Sequence, residues 1–344
     1  MMKIWWLMLI FSIGLSGPVN ADEIVLKTTH PTNYVVKKGD TLWDIASRFL
    51  RDPWRWPEIW HVNPQIKNPH FIYPGDEVML TYRNGKPELI LKRGNSVQGN
   101  LRVVKLSPTI RSRPIHREIP TIPVDAIQQF LSRPSIMTKK AIKASPYVLS
   151  FRDDRLITGT GNTIYVRGLA KGSTTHYSII RAGRTYTDNG KPLGVEAMYV
   201  GEAVVKAFGN PSTMTITTSN KEVLVGDRLI PSTPQKMEYN FTPHAPKSDI
   251  RGKIISVVDG VSDIGQYAIV VINKGLEDGM EKGNVIAVKQ KGREIDDTVK
   301  GGEVQLPDIQ AGYLLVFRPF SKVSYALVMK ATREIRLNDL ITNP

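Results

Sequence analysis

The sequence predicts an α+β protein: a small strand–helix–helix–strand module near the N-terminus, followed by mainly-β domains of the small-barrel or sandwich type. Three observations predict it. Between Asn33 and Leu80 the apolar period switches from two to that of a helix and back again. From Pro146 onward, short β-branched or aromatic runs alternate with Gly-, Asn- and Asp-rich turns. Near the C-terminus, strand–turn–strand units recur with a shared Gly/Asn-Asp corner.

In the module, Asn33 to Lys37 alternates Val with polar neighbours, as a half-buried strand does. Gly39 breaks the run. Thr41 with Asp44 then gives a helix-capping pattern, with Asp40 as a competing N-cap. Leu42, Ile45, Ala46 and Phe49 form one apolar stripe of a short helix. Pro57 can open a second helix carrying Ile59, Trp60 and Val62, stopped by Asn63-Pro64. Tyr73-Pro74-Gly75-Asp76 is a turn, and Glu77 to Leu80 a closing strand. Trp56 and Trp60 are expected in the core, Trp54 is the most exposed, and Trp43 fits either place.

Tyr34-Val35-Val36, Gly39-Asp40-Thr41-Leu42-Trp43, Ile45-Ala46, Asn63-Pro64 and Ile72-Tyr73-Pro74-Gly75-Asp76 resemble, in identity and separation, a LysM module, the βααβ domain that binds N-acetylglucosamine-containing glycans. One departure is the junction Arg51-Asp52-Pro53-Trp54-Arg55-Trp56-Pro57, longer than in a typical module and similar to bacterial envelope proteins with a single LysM. The resemblance implies a peptidoglycan-binding secreted protein of Gram-negative bacteria. It places the carbohydrate site on Gly39, Asp40, Thr41, Leu42 and Trp43 after the first strand, and on Pro64, Gln65, Ile66 and Lys67 after the second helix. Backbone groups of these loops would bond the N-acetyl group, with Leu42 and Ile66 in apolar contact. A shallow groove of this kind predicts micromolar-to-millimolar affinity.

Ahead of the module, Met1-Met2-Lys3, the apolar run Ile4 to Leu15 and Val19-Asn20-Ala21 read as a signal peptide over residues 1–21. The apolar run falls short of the roughly 20 residues a span requires. The mature chain is thus expected to start near Asp22, without a transmembrane segment, in the periplasm and associated with the cell wall.

Behind it, residues 33–81 give way to a Pro/Arg-rich segment over 82–145, expected to be partly ordered. There Leu89 to Leu91 and Leu101 to Leu106 are candidate strands and Val124 to Leu131 a candidate helix. Residues 146–231 form a β domain, with strands at Tyr147–Phe151, Thr163–Arg167, Tyr177–Arg181, Val195–Val205 and Met214–Thr218, and a hairpin turn at Asp188-Asn189-Gly190. Pro-, Ser- and Thr-rich 232–249 reads as a linker, and 250–344 as a C-terminal β domain. The repeat compares Ile216–Ile230 with Val328–Ile341, sharing the Glu222/Asp227 and Glu334/Asp339 spacing, with Gly283-Asn284 as the third corner. Each Asp is expected to bond backbone N–H groups just beyond the corner, with equal weight for Asp227 and Asp339.

With Cys 0, disulfides and thiolate chemistry are excluded, and the six histidines form no HExxH or His-x-His pattern. No G-x-S-x-G elbow is present. Glu196 and Glu202 are the carboxylates weighed for glycosidase chemistry. No metal or cofactor is expected. The net charge of +14 suits wall carboxylates or anionic headgroups better than nucleic acid in this compartment. The expected function is non-catalytic peptidoglycan binding, with β domains that brace or bind an envelope protein. The alternative is a cell-wall-remodelling enzyme whose site lies unrecognised in the β region.

Overall fold

The computed structural model describes residues 24–60, 72–92, 120–123, 126, 127, 130, 136–152, 157–232, 241–258 and 264–344. The expected signal peptide, the loop Pro64–Lys67 and the candidate strand Leu101 to Leu106 lie outside them. The fold is α+β, as the sequence predicts.

In the module, β1 (Asn33–Val35) pairs antiparallel with β2 (Glu77–Arg83), and the helices α1 (Leu42–Phe49) and α2 (Trp56–Trp60) lie between them in sequence. The strand expected at Leu89–Leu91 is longer, β3 (Lys86–Lys92), and pairs with β2, so the module's sheet continues past residue 81. Asn84 and Gly85, both with positive φ, turn that hairpin. Ile45, Phe49, Trp56, Ile59, Trp60, Val78 and Leu89 share one core, with Trp56 and Trp60 edge to face at 6.4 Å.

Thr41, rather than Asp40, caps α1. Its Oγ1 accepts the Asp44 N–H at 3.1 Å, and Asp44 Oδ2 accepts the Thr41 N–H at 3.2 Å. Thr41→Ala should therefore cost about 1 kcal/mol of module stability, measured by urea unfolding followed through tryptophan fluorescence. No change in midpoint would show that the box is dispensable.

The middle body holds β4 (Ile136–Met137), α3 (Lys139–Ala144), β5 (Tyr147–Phe151), β6 (Ile157–Thr158), β7 (Thr163–Arg167), β8 (His176–Asp188), β9 (Lys191–Ala207), β10 (Ser212–Ser219), β11 (Val223–Leu224) and β12 (Arg228–Pro231). Its main sheet runs β10-β7-β5-β12-β8-β9-β4, and β10 pairs with β9 as well, so the order returns on itself. Val148, Ile164, Ile179, Val200, Met214 and Leu229 fill its core. Asn189 and Gly190, in left-handed conformation, make the expected β8–β9 turn.

The C-terminal body comprises β13 (Arg251–Val257), β14 (Ile269–Ile272), β15 (Val285–Gln290), the small hairpin β16 (Glu294–Asp296) and β17 (Glu303–Gln305), then β18 (Ile309–Pro319), β19 (Ser324–Ala331) and β20 (Leu340–Thr342). Six of these close a barrel in the order β13-β14-β19-β18-β15-β20. Its strands read as continuous apolar runs because both faces are covered. Alternate residues such as Val270, Ile286, Leu314 and Val328 form one cluster. Their neighbours Val271, Ala287, Leu315 and Leu327 join another, which takes in Trp43, Ile122, Ile127, Tyr186 and Phe241. The module and the chain that follows it are thus seated on the barrel's outer wall. The expected linker is packed from Phe241 onward. Phe241 is buried, and the His244 N–H donates to Gly283 O at 3.0 Å. Composition read that stretch as free because one phenylalanine among Pro, Ser and Thr carries little weight in a window average.

The repeated corner is real, and more frequent than the sequence comparison found. At Lys37–Asp40, Tyr73–Asp76, Leu224–Asp227, Glu281–Asn284 and Arg336–Asp339, the fourth residue's side-chain oxygen accepts the first residue's N–H, at 2.6–3.0 Å. The fourth N–H also donates to the first C=O, and the third residue has φ between +70° and +98°. Gly or Asn is needed at that third place because other side chains clash there. The expected direction was reversed: the carboxylate bonds back across the turn to the residue three before it, closing the corner.

Candidate functional site

The five described residues of the first predicted loop play three different parts. Gly39 (φ +96°) and Asp40 complete one of the corners above. Asp40 Oδ2 is engaged by the Lys37 N–H and the Tyr34 hydroxyl, each at 2.8 Å. Burial and then this bond to Asp40 raise the Tyr34 phenol above its usual value, so it stays a donor. Thr41 is the helix cap. Leu42 and Trp43 are each 2% exposed, but they face different partners: Leu42 joins the module core, whereas Trp43 joins the cluster on the barrel wall.

The first turn of any helix leaves N–H groups without intrahelical partners. Thr41 satisfies that of Asp44. The two before it are satisfied from far along the chain: Leu42 N–H donates to Pro120 O at 3.0 Å, and Trp43 N–H to Thr121 O at 3.3 Å. Thr121 and Ile122 are fully buried, and Ile122 sits in the same cluster as Trp43. Tyr267, from the barrel, donates to Asp44 Oδ1 at 3.3 Å. Residues 120–123 therefore lie as a strap across the N-terminus of α1, on the backbone donors that the LysM resemblance assigns to glycan. Sequence reasoning missed this strap, since nothing local marks Pro120-Thr121 as a partner of Leu42-Trp43.

Beside the loop, an open groove of about 700 Å³ is lined by Tyr34, Asp40, Asp44, Ser47 and Arg48. The Arg48 guanidinium stacks on the Tyr34 ring at 4.2 Å. The second predicted loop, Pro64, Gln65, Ile66 and Lys67, lies outside the described residues. The weighed carboxylates do not form a glycosidase pair. Glu196 and Glu202 lie along one strand, β9, about 20 Å apart at the usual rise per residue, and Glu196 is paired with Arg184 at 3.3 Å.

Residues 34–81 match the family model of the LysM domain, so this part of the chain is a LysM module. Two curated proteins are similar to parts of the chain. The uncharacterized protein YqbP of Bacillus subtilis (strain 168) is 42% identical over 60 residues, 14% of this chain and 27% of its own length. The endolysin of Bacillus phage B103 is 31% identical over 113 residues, 30% of this chain and 42% of its own. The chain thus spans less than half the length of either relative.

Proposed function

We propose that the protein is a non-catalytic, periplasmic peptidoglycan-binding protein, held to N-acetylglucosamine-containing strands by its single LysM module. The observation that carries this reading is the LysM match over residues 34–81 together with a folded, capped α1 beneath the Gly39–Trp43 loop. The β bodies brace the module and offer surface to an envelope partner. Because Pro120 and Thr121 hold the Leu42 and Trp43 amides, an N-acetyl group that reaches these amides exchanges two internal hydrogen bonds for two to the ligand. Such an exchange makes the intact chain a weak binder. Titration of the full chain with chitotetraose by NMR tests the reading: the amides of Gly39, Leu42 and Trp43 should shift with micromolar-to-millimolar affinity. Shifts confined to the β bodies would refute it.

The similarity to a phage endolysin favours a second reading, a wall hydrolase. Release of dye from labelled sacculi by the purified chain distinguishes the two: the proposed function predicts none above buffer. Export is checked separately. The intact mass of the periplasmic protein should correspond to a chain starting near Asp22, and retention of residues 1–21 would contradict cleavage.

A further inference from the structure

The Trp-rich junction by which this module departs from the usual LysM pattern forms one wall of a second cleft, whose other wall is the barrel. Arg51, Asp52 and Trp54 line it from the module, and Gln310, Tyr313 and Lys330 from β18 and β19; its volume is about 700 Å³. That is the size range of small-ligand sites, which favour domain boundaries. The Tyr313 hydroxyl donates to Asp52 Oδ1 at 2.8 Å and ties the two walls together.

In its lining Arg51, Arg55 and Lys330 outnumber Asp52, beside Pro344 and two aromatic residues, Trp54 and Tyr313. Asp52 is already engaged by Tyr313 and by Arg51 at 3.3 Å, and the Arg51 side chain is still 67% exposed. Lys330 forms no ion pair among the described residues. Near it is Lys27, which lines the groove beside Arg48; burial, then Lys330 and Arg48, hold its ammonium below the usual lysine range. Like charges crowded in this way attract an anion, because a bound carboxylate relieves their repulsion. Trp54 is half-buried, with the Arg55 guanidinium 6.0 Å from its ring. A sugar's apolar face packs well on such a ring.

We propose that this cleft is a second saccharide subsite, selective for a carboxylate-bearing N-acetylated amino sugar of the wall, with Trp54 beneath the sugar ring and Lys330 and Arg51 on the carboxylate. The assignment rests on the reading that the protein binds peptidoglycan, and it deepens that reading by adding the acidic sugar to the neutral one. Charge-assisted hydrogen bonds from Arg or Lys to a carboxylate are the stronger kind, so the selectivity should be large enough to measure.

Two disaccharides that differ only by a lactyl ether test it on the full chain: N-acetylglucosaminyl-N-acetylmuramic acid and N,N′-diacetylchitobiose. Calorimetric titration at low salt should show about tenfold tighter binding of the acidic disaccharide. Lys330→Gln and Arg51→Gln should each reduce that preference severalfold and leave the affinity for chitobiose unchanged; Trp54→Leu should weaken the acidic disaccharide alone. Equal binding of the two disaccharides by the native chain would overturn the subsite, as would a preference that survives both charge substitutions. Loss of chitobiose binding with the acidic preference intact would instead count against the module's groove, so the two readings fail separately.

Discussion

Replacing Asp227 by alanine should lower the unfolding free energy by about 3 kcal/mol, whereas Asp339→Ala, at the corresponding corner, should cost only about 1 kcal/mol. Sequence comparison gave these residues equal weight, and the surroundings explain the difference. Asp227 is 3% exposed and accepts the Leu224 N–H at 2.8 Å; Arg181 adds two more bonds, through Nε at 2.8 Å and Nη2 at 2.9 Å. Removing the carboxylate deletes three hydrogen bonds at a buried side chain, two of them from the Arg181 guanidinium, which is 30% exposed and keeps its bond to Glu222 O. Asp339 is half-exposed and closes its turn with the Arg336 N–H at 2.9 Å, so water can replace it. Urea unfolding of both variants, monitored by far-UV circular dichroism, decides the matter. Equal losses would show that the Arg181 bridge adds nothing.

Releasing the strap should strengthen glycan binding. Ile122 is fully buried in the cluster that holds Trp43 against the barrel, so Ile122→Asp places a charge where it cannot be solvated and detaches residues 120–123. Two backbone hydrogen bonds of about 1 kcal/mol each oppose the ligand while the strap is docked. Their removal should raise apparent affinity for chitotetraose roughly thirtyfold, since affinity scales with the fraction of molecules that can bind. Ile127→Asp, which disturbs the same cluster, should act in the same direction. Unchanged affinity in both variants, with circular dichroism intact, would mean that glycan does not use the Leu42 and Trp43 amides.

What the sequence showed and what it hid follow from the range of each interaction. The α1 stripe, the Thr41–Asp44 box and the Gly-Asp corners are decided within a few residues, and each is present. Trp43 was ambiguous for a physical reason: the helical period says which face a residue is on, and α1 has two covered faces, one toward its own sheet and one toward the barrel. Asp40 looked like a ligand residue or a cap. Its bonds to Lys37 and Tyr34 make it a corner residue like Asp76, Asp227 and Asp339. The strap, the barrel closure through β13 and β20, and the Asp52–Tyr313 tie join residues far apart in the chain, which no window or motif samples.

Salt dependence of sacculus binding separates attachment through the LysM groove from attachment by charge. Purified full chain is pelleted with sacculi at physiological salt and at 1 M, with and without free chitotetraose. Charge contacts are screened over about 8 Å in the first condition and about 3 Å in the second, whereas groove hydrogen bonds and apolar contact are nearly indifferent to salt. If the LysM module carries the attachment, a substantial fraction still pellets at 1 M salt, and chitotetraose displaces it. Complete release at 1 M, with no displacement by chitotetraose at either salt, would show that the chain's net charge of +14 holds it to the wall and would contradict the account.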